Sequence, residues 1–212
     1  MVSTGSSHPL AAILTAAAAG RFPPADGLVD VLPPDADGTH AVVEFTAHSY
    51  VLTDRPAEEL LARGADGFGG STHPDVLRWL AGEDGWIGSL DAVLVATARP
   101  GDRLPDRGDL DRHPRVERAR AHRRDVRVLG DHRGLLTLGR GLAGRWELSV
   151  ELHDETDRSD GAGRALIGAG LASARSGELV WAQVSPGNAA SLRAFLACGF
   201  VPVGGEVLLR PR

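Results

Sequence analysis

A glycine-containing loop in the C-terminal half of the chain has the clearest potential for chemistry. It reads Arg158-Ser-Asp-Gly161-Ala-Gly163-Arg164 and fits the pattern R-x-x-G-x-G. Glycines let the backbone turn tightly so that successive N–H groups point to one spot, and a helix that follows adds the positive end of its dipole. We therefore expect Gly161, Ala162, Gly163 and Arg164 to bind a phosphate or pyrophosphate group, with Arg158 beside it.

A second pattern, SPGNAASLRAFLACGF, occupies residues 185–200. It predicts a short helix that starts at Asn188 and stops at Gly199, because asparagine caps helix starts and glycine follows helix ends. Asn188 is the only asparagine of the chain. Its side chain can serve as a plain helix cap, and the same side chain can also contact a ligand, so both interpretations stay open.

Together these segments resemble a known superfamily. The strand before the loop, the loop and the following helix resemble motif A of the GNAT N-acetyltransferases, and residues 185–200 resemble their motif B, over about residues 89–212. The resemblance implies that acetyl-CoA binds as co-substrate, with its pyrophosphate on the loop and Asn188 close to it. It also implies transfer of the acetyl group to the amine of a small molecule or peptide. The alternative is a catalytically inactive acyl-CoA-binding sensor or interaction module.

The resemblance directs attention to the strand that precedes the loop. Residues 146–152 alternate, with Glu147, Ser149, Glu151 and then His153 on the polar face. In the superfamily this strand splays from its neighbour and its free amides polarise the thioester, which implies the amides of Leu152 and His153. The resemblance also implies a glutamate base, Glu147 or Glu151, partly buried so that its pKa is raised. Both could instead face solvent, and His153 is a third candidate for the base that could equally be a surface residue.

The proton donor is a departure from the superfamily pattern. Many members have a tyrosine seven residues after the asparagine, whereas this chain has Phe195, which cannot donate a proton. Ser191 or Cys198 on the same helix could replace it, although Cys198 also fits a small buried hydrophobic position. Tyr50, the only tyrosine, would reach the site only if the first domain folded over it.

The predicted elements divide the chain into two domains of a mixed α/β (α+β) fold. Residues 1–88 form a small α+β domain of unknown role, and residues 89–212 form the GNAT-like domain with a mixed, splayed sheet flanked by helices. A helix opened by Pro114 carries several arginines that we expect on a solvated face. Predicted strands cover residues 28–32, 41–45, 48–52, 91–98, 126–129, 135–138, 146–152, 179–184, 200–203 and 206–209.

Composition narrows the classes of partner. The net charge of −5 comes from 28 acidic and 23 basic residues, which gives no general attraction to nucleic acids or anionic membranes. The apolar segment at residues 10–20 lacks preceding basic residues and is predicted to be a helix rather than a signal peptide. The single cysteine, Cys198, allows no internal disulfide, which suits a reducing compartment or a protein that is indifferent to one. We expect a cytoplasmic protein that binds no metal ion, and a homodimer is one arrangement open to it.

Overall fold

The computed structural model describes residues 7–153 and 161–212, so Arg158 of the predicted phosphate loop lies outside the described residues. These residues form six α-helices and ten strands that pair mostly antiparallel, which confirms the mixed α and β class. The helices are α1 Pro9–Ala18, α2 Ala57–Ala62, α3 Pro74–Ala81, α4 Pro114–His122, α5 Ala162–Ser173 and α6 Ala189–Ala197. The strands are β1 Val29–Leu32, β2 His40–Phe45, β3 His48–Leu52, β4 Trp86–Ile87, β5 Asp91–Thr97, β6 Arg124–Asp131, β7 Gly134–Arg140, β8 Trp146–Leu152, β9 Leu179–Val184 and β10 Val201–Arg210.

The chain forms two compact units, Met1–Ala92 with Val203–Arg212, and Val93–Pro202. We refer to them as the first and the second unit. The sequence predicts a division after residue 88, with all of the C-terminal part in the second domain. In the structure, β10 from Val203 onward groups with the first unit because it pairs antiparallel with β2 and β4.

In the first unit, β3 pairs parallel with β1 and antiparallel with β2. Apolar side chains of this sheet pack against α2 and α3 in one core that includes Val42, Val51, Leu60, Leu80 and Leu209. The two C-terminal strands expected from the sequence are one strand, β10. Gly204 and Gly205 resemble a turn signal, yet they stay extended because Gly205 pairs with Glu44, and a Cβ on Gly204 would overlap the Glu44 carbonyl oxygen.

In the second unit the strands lie in the order β5, β9, β8, β7, β6. Helix α5 packs on one face, where Gly170 is needed because a Cβ there would lie 2.6 Å from Leu148 of β8. On the other face, Val116 of α4 packs against Val128 of β6 and Leu135 of β7. The alternation of β8 is therefore read correctly from the sequence, but its polar face lies on the α4 side of the sheet rather than in open solvent.

Three of the six described helices begin with the dipeptide His-Pro. Proline suits the first helical position because the amide it lacks would have no partner within the helix. In each case the histidine Nδ1 accepts a hydrogen bond from the backbone N–H two residues later: His8 from Leu10 at 3.2 Å, His73 from Asp75 at 3.3 Å and His113 from Arg115 at 3.2 Å. These caps fix where α1, α3 and α4 start.

Within the described residues, no helix combines the length and the apolar composition that are needed to cross a lipid bilayer.

Candidate functional site

A cavity of about 870 Å³ lies within the second unit. The C-terminal half of β8 forms one wall, the first turn of α5 a second and one side of α6 a third. It is lined by Arg115, Val150, Glu151, Leu152, His153, Gly161, Gly163, Arg164, Ile167, Asn188, Ala190, Ser191, Arg193, Ala194, Phe195 and Ala197. Its volume is in the range of pockets that enclose small molecules and cofactors.

The cavity lies where two parallel strands stop pairing. Strand β8 pairs with β7 along its full length, from Trp146 to Leu152. It pairs with β9 only at Trp146 and Glu147, opposite Val180 and Trp181. Beyond Glu147, therefore, no strand of the described residues pairs with this edge of β8, and Val150 and Leu152 on this stretch line the cavity.

The hydrogen-bond pattern of the β7–β8 ladder shows which amides face that edge. The N–H of His153 donates to the carbonyl of Arg133, 3.1 Å away on the β7 side. Because amides alternate along an antiparallel strand, the N–H groups of Val150 and Leu152 point to the opposite side, towards the open edge. The expected free amide at Leu152 thus agrees with the hydrogen-bond pattern between β7 and β8. The expected free amide at His153 is wrong, because this N–H already donates to Arg133.

The start of α5 has the geometry of an anion cradle. Gly161 caps the helix with φ +81° and ψ 7°, a left-handed conformation that favours glycine. Among the described residues, no atom lies within 4 Å of a Cβ added at Gly163, and Gly163 itself lines the cavity. The Arg164 guanidinium lies beside Gly161, whereas Ala162 is buried. Helix α5 runs for 12 residues, and the positive end of its dipole faces this site.

Asn188 performs the capping role and also borders the cavity. Its Oδ1 accepts a hydrogen bond of 3.1 Å from the N–H of Ser191, and its side chain belongs to the cavity wall. The structure therefore brings Asn188, Gly161, Gly163, Arg164 and Leu152 to one cavity.

No known protein-family model matches this chain, and no curated protein matches it either.

Glu147 has an environment unlike that of a base. Its side chain is 5% exposed and is absent from the cavity wall. The carboxylate lies 2.7 Å from Nε of Arg123 and 2.9 Å from Nε of Arg145. Burial alone would raise its pKa, but the charges of Arg145 and Arg123 and their hydrogen bonds lower it below the ordinary value. The raised pKa that we expect for a base on this strand is therefore wrong for Glu147.

Arg123 explains why the polar face of β8 is closed at this level. Besides Glu147, its guanidinium approaches Thr137 and Ser149, each at 3.4 Å, and the Gln183 side-chain oxygen at 3.3 Å. These groups belong to β7, β8 and β9, so one cation connects three strands just where β8 and β9 stop pairing. Glu147 and Arg123 thus stabilise the sheet beneath the cavity.

The other two candidate bases, Glu151 and His153, both line the cavity. Glu151 accepts a hydrogen bond of 2.7 Å from Nε of Arg115, and its other oxygen is 3.9 Å from Nε2 of His113. His153 is exposed at the end of β8. Arg115 is a site residue that the sequence analysis assigned to a solvated helix face. No local sequence signal links Arg115 to Glu151, because the two residues are 36 positions apart in the chain.

The candidate proton donors divide by position. Phe195 lines the cavity, is 3% exposed and packs edge to face on Phe200. Ser191 also lines the cavity. Cys198 is buried outside its wall, where Sγ donates to the Arg164 carbonyl at 3.5 Å and burial raises the pKa of the thiol. Tyr50 is a buried residue of the first unit.

The charge of the wall favours an anion. Among the described lining residues, three arginines (Arg115, Arg164 and Arg193) stand against one carboxylate, Glu151. Since the amides at the start of α5 add partial positive charge, the cavity is complementary to a polyanionic ligand.

Proposed function

We propose that the second unit binds acetyl-CoA and transfers its acetyl group to an amine. The observation that carries this proposal is the cavity at the point where β8 leaves β9, with the glycine start of α5 at one side and an open strand edge at the other. A phosphate cradle next to an unpaired strand edge suits a ligand that has a pyrophosphate at one end and an amide-containing arm at the other.

The described residues fit such a ligand. The N–H groups around residues 161–164 would hold the pyrophosphate, since a Cβ at Gly163 would occupy open space there. The arm would lie along the edge of β8, where the amides of Val150 and Leu152 can donate hydrogen bonds. One of these amides would polarise the carbonyl and stabilise the negative charge that develops on its oxygen. Bound acetyl-CoA supplies the activated acetyl group and a thiolate leaving group.

The remaining steps need a neutral amine and a proton for the thiolate. Glu151 and His153 line the cavity, and one of them would accept the proton of an incoming ammonium group, directly or through water. Ser191 is the hydroxyl of the cavity wall that can donate to the departing sulfur. Glu147 takes no part in proton transfer in this proposal, because its carboxylate is neutralised by two arginines.

A second candidate function is an acyl-CoA sensor that does not catalyse transfer. The observation in its favour is Phe195, which lines the cavity where the resemblance places a tyrosine. Its ring is packed against Phe200 and has no proton to donate. The sensor would keep the cradle and the strand edge and lack turnover.

Two measurements test both candidates. Calorimetric titration with acetyl-CoA reports binding, and release of free thiol across a panel of small-molecule and peptide amines reports transfer. Binding with amine-dependent thiol release supports the acetyltransferase. Binding with no release above the uncatalysed rate for any amine favours the sensor. If acetyl-CoA at millimolar concentration does not bind, both proposals are wrong.

A further inference from the structure

The three arginines of the cavity wall are not equivalent. Arg115 is held by Glu151 at 2.7 Å, so its charge is largely compensated. The Arg164 guanidinium lies next to Gly161, at the start of α5. Arg193 lies on a different helix, α6, and is exposed. Among the ion pairs of the described residues, none involves Arg193.

Helix α6 presents Arg193 to the cavity in a setting that favours contact with a ligand. Arg193 is the only charged residue in α6, and its neighbours on the wall include Ala190, Ala194 and Ala197. Alanines are too short to cover an arginine side chain, and no carboxylate of the described residues forms an ion pair with Arg193. An exposed guanidinium at a ligand cavity is suited to a phosphate or carboxylate, which it can bind with two parallel hydrogen bonds.

Arg193 and the pyrophosphate cradle belong to different helices. The cradle is formed by the backbone of residues 161–164 and the dipole of α5, and Arg164 already supplies a side-chain cation there. Arg193 lies on α6, five residues after Asn188, which corresponds to about 7.5 Å along a helix axis. A ligand with two anionic groups could therefore engage the cradle and Arg193 separately.

We propose that Arg193 binds the 3′-phosphate of coenzyme A, a proposal that rests on the proposed function. Coenzyme A carries this phosphate monoester on its ribose, apart from the pyrophosphate, so the molecule requires two separate cationic positions. Arg193 then makes the cavity selective for coenzyme A over 3′-dephospho-coenzyme A and over phosphopantetheine groups that lack the nucleotide.

The test compares the affinities of coenzyme A and 3′-dephospho-coenzyme A by calorimetry, for the wild type, Arg193→Gln and Arg175→Gln. Arg175 is a matched control because it is exposed, lies beyond the C-terminal end of α5 and does not line the cavity. We expect the wild type to prefer coenzyme A by about tenfold to a hundredfold, the usual effect of one charged hydrogen-bonded contact. Arg193→Gln should lose this preference through weaker binding of coenzyme A alone, and Arg175→Gln should keep it.

The outcomes separate this inference from the function on which it rests. Equal wild-type affinity for the two ligands overturns the role of Arg193 and leaves coenzyme A binding intact. Equal weakening of both ligands by Arg193→Gln also overturns it, because a general charge effect does not distinguish the two. If the wild type binds neither ligand, the proposed function fails as well. Thermal unfolding of each variant verifies that the fold is retained.

Discussion

Replacing Glu147 by glutamine should destabilise the protein strongly. Glutamine keeps the shape but removes the negative charge that Arg123 and Arg145 share, and the side chains of these two arginines are only 12% and 4% exposed. Removing one partner of a buried ion pair costs about 3–5 kcal/mol. For a chain of this size such a loss lowers Tm by about 6–20 °C. Glu59→Gln is the control, because Glu59 pairs with Arg63 at 3.9 Å on the surface, and Tm should change by less than about 2 °C.

The same variant has a pH signature. The folded-state pKa of Glu147 is lowered, so its contribution to stability is present above the unfolded-state pKa, near 4.5, and is lost as the pH falls through the folded-state value. The Tm of the wild type should therefore fall more steeply than that of Glu147→Gln below about pH 5. Thermal melts between pH 3 and pH 8, read by circular dichroism, measure both effects. The reasoning is refuted if Glu147→Gln melts like the wild type yet loses turnover a hundredfold, since Glu147 would then be a base.

Three further predictions concern the cavity. Gly163→Val should weaken acetyl-CoA binding at least tenfold by calorimetry. Gly168→Val is the control and should leave the affinity unchanged, because this second glycine of α5 also has open space around it but does not line the cavity. Equal affinities of the two variants would argue against the cradle. Either Glu151→Gln or His153→Asn should lower turnover about a hundredfold, with partial rescue at high pH where the amine is already neutral. If neither does, the amine loses its proton to water before it binds. Ser191→Ala should lower turnover about tenfold or more and Cys198→Ala should not, because Ser191 lines the cavity and Cys198 does not. If Cys198→Ala lowers turnover and Ser191→Ala does not, the proton donor is the buried thiol of Cys198.

Local signals predicted the elements of the site well. The bounds of β8 and β9 agree with the structure, because alternation and β-branched content are properties of the strands themselves. The start of α6 at Asn188 follows from the capping preference of asparagine, and the cap is present. The loop before α5 was recognised from its glycines, and the positive φ of Gly161 is the reason for one of them.

The electrostatic state of the site residues could not be predicted in this way. Alternation placed Glu147 on the polar face of β8 but did not show what covers that face. Arg123, which lies 24 residues earlier in the chain, reaches Glu147 only because α4 ends beside the sheet. Arg115 similarly meets Glu151 across 36 positions. A carboxylate on a strand can be a base or half of an ion pair, and only the tertiary neighbours decide between the two.

The His-Pro starts of α1, α3 and α4 have a consequence for the tautomer of each histidine ring. Nδ1 accepts the amide hydrogen bond of the cap, so a neutral ring carries its hydrogen on Nε2. In His8 this second nitrogen is 2.9 Å from the Pro33 carbonyl oxygen, to which it can donate. One ring therefore caps α1 and also links its start to a loop 25 residues later in the chain. His8→Ala should speed exchange of the Leu10 amide proton, while the amide of Ser191, capped by an asparagine, should keep its protection.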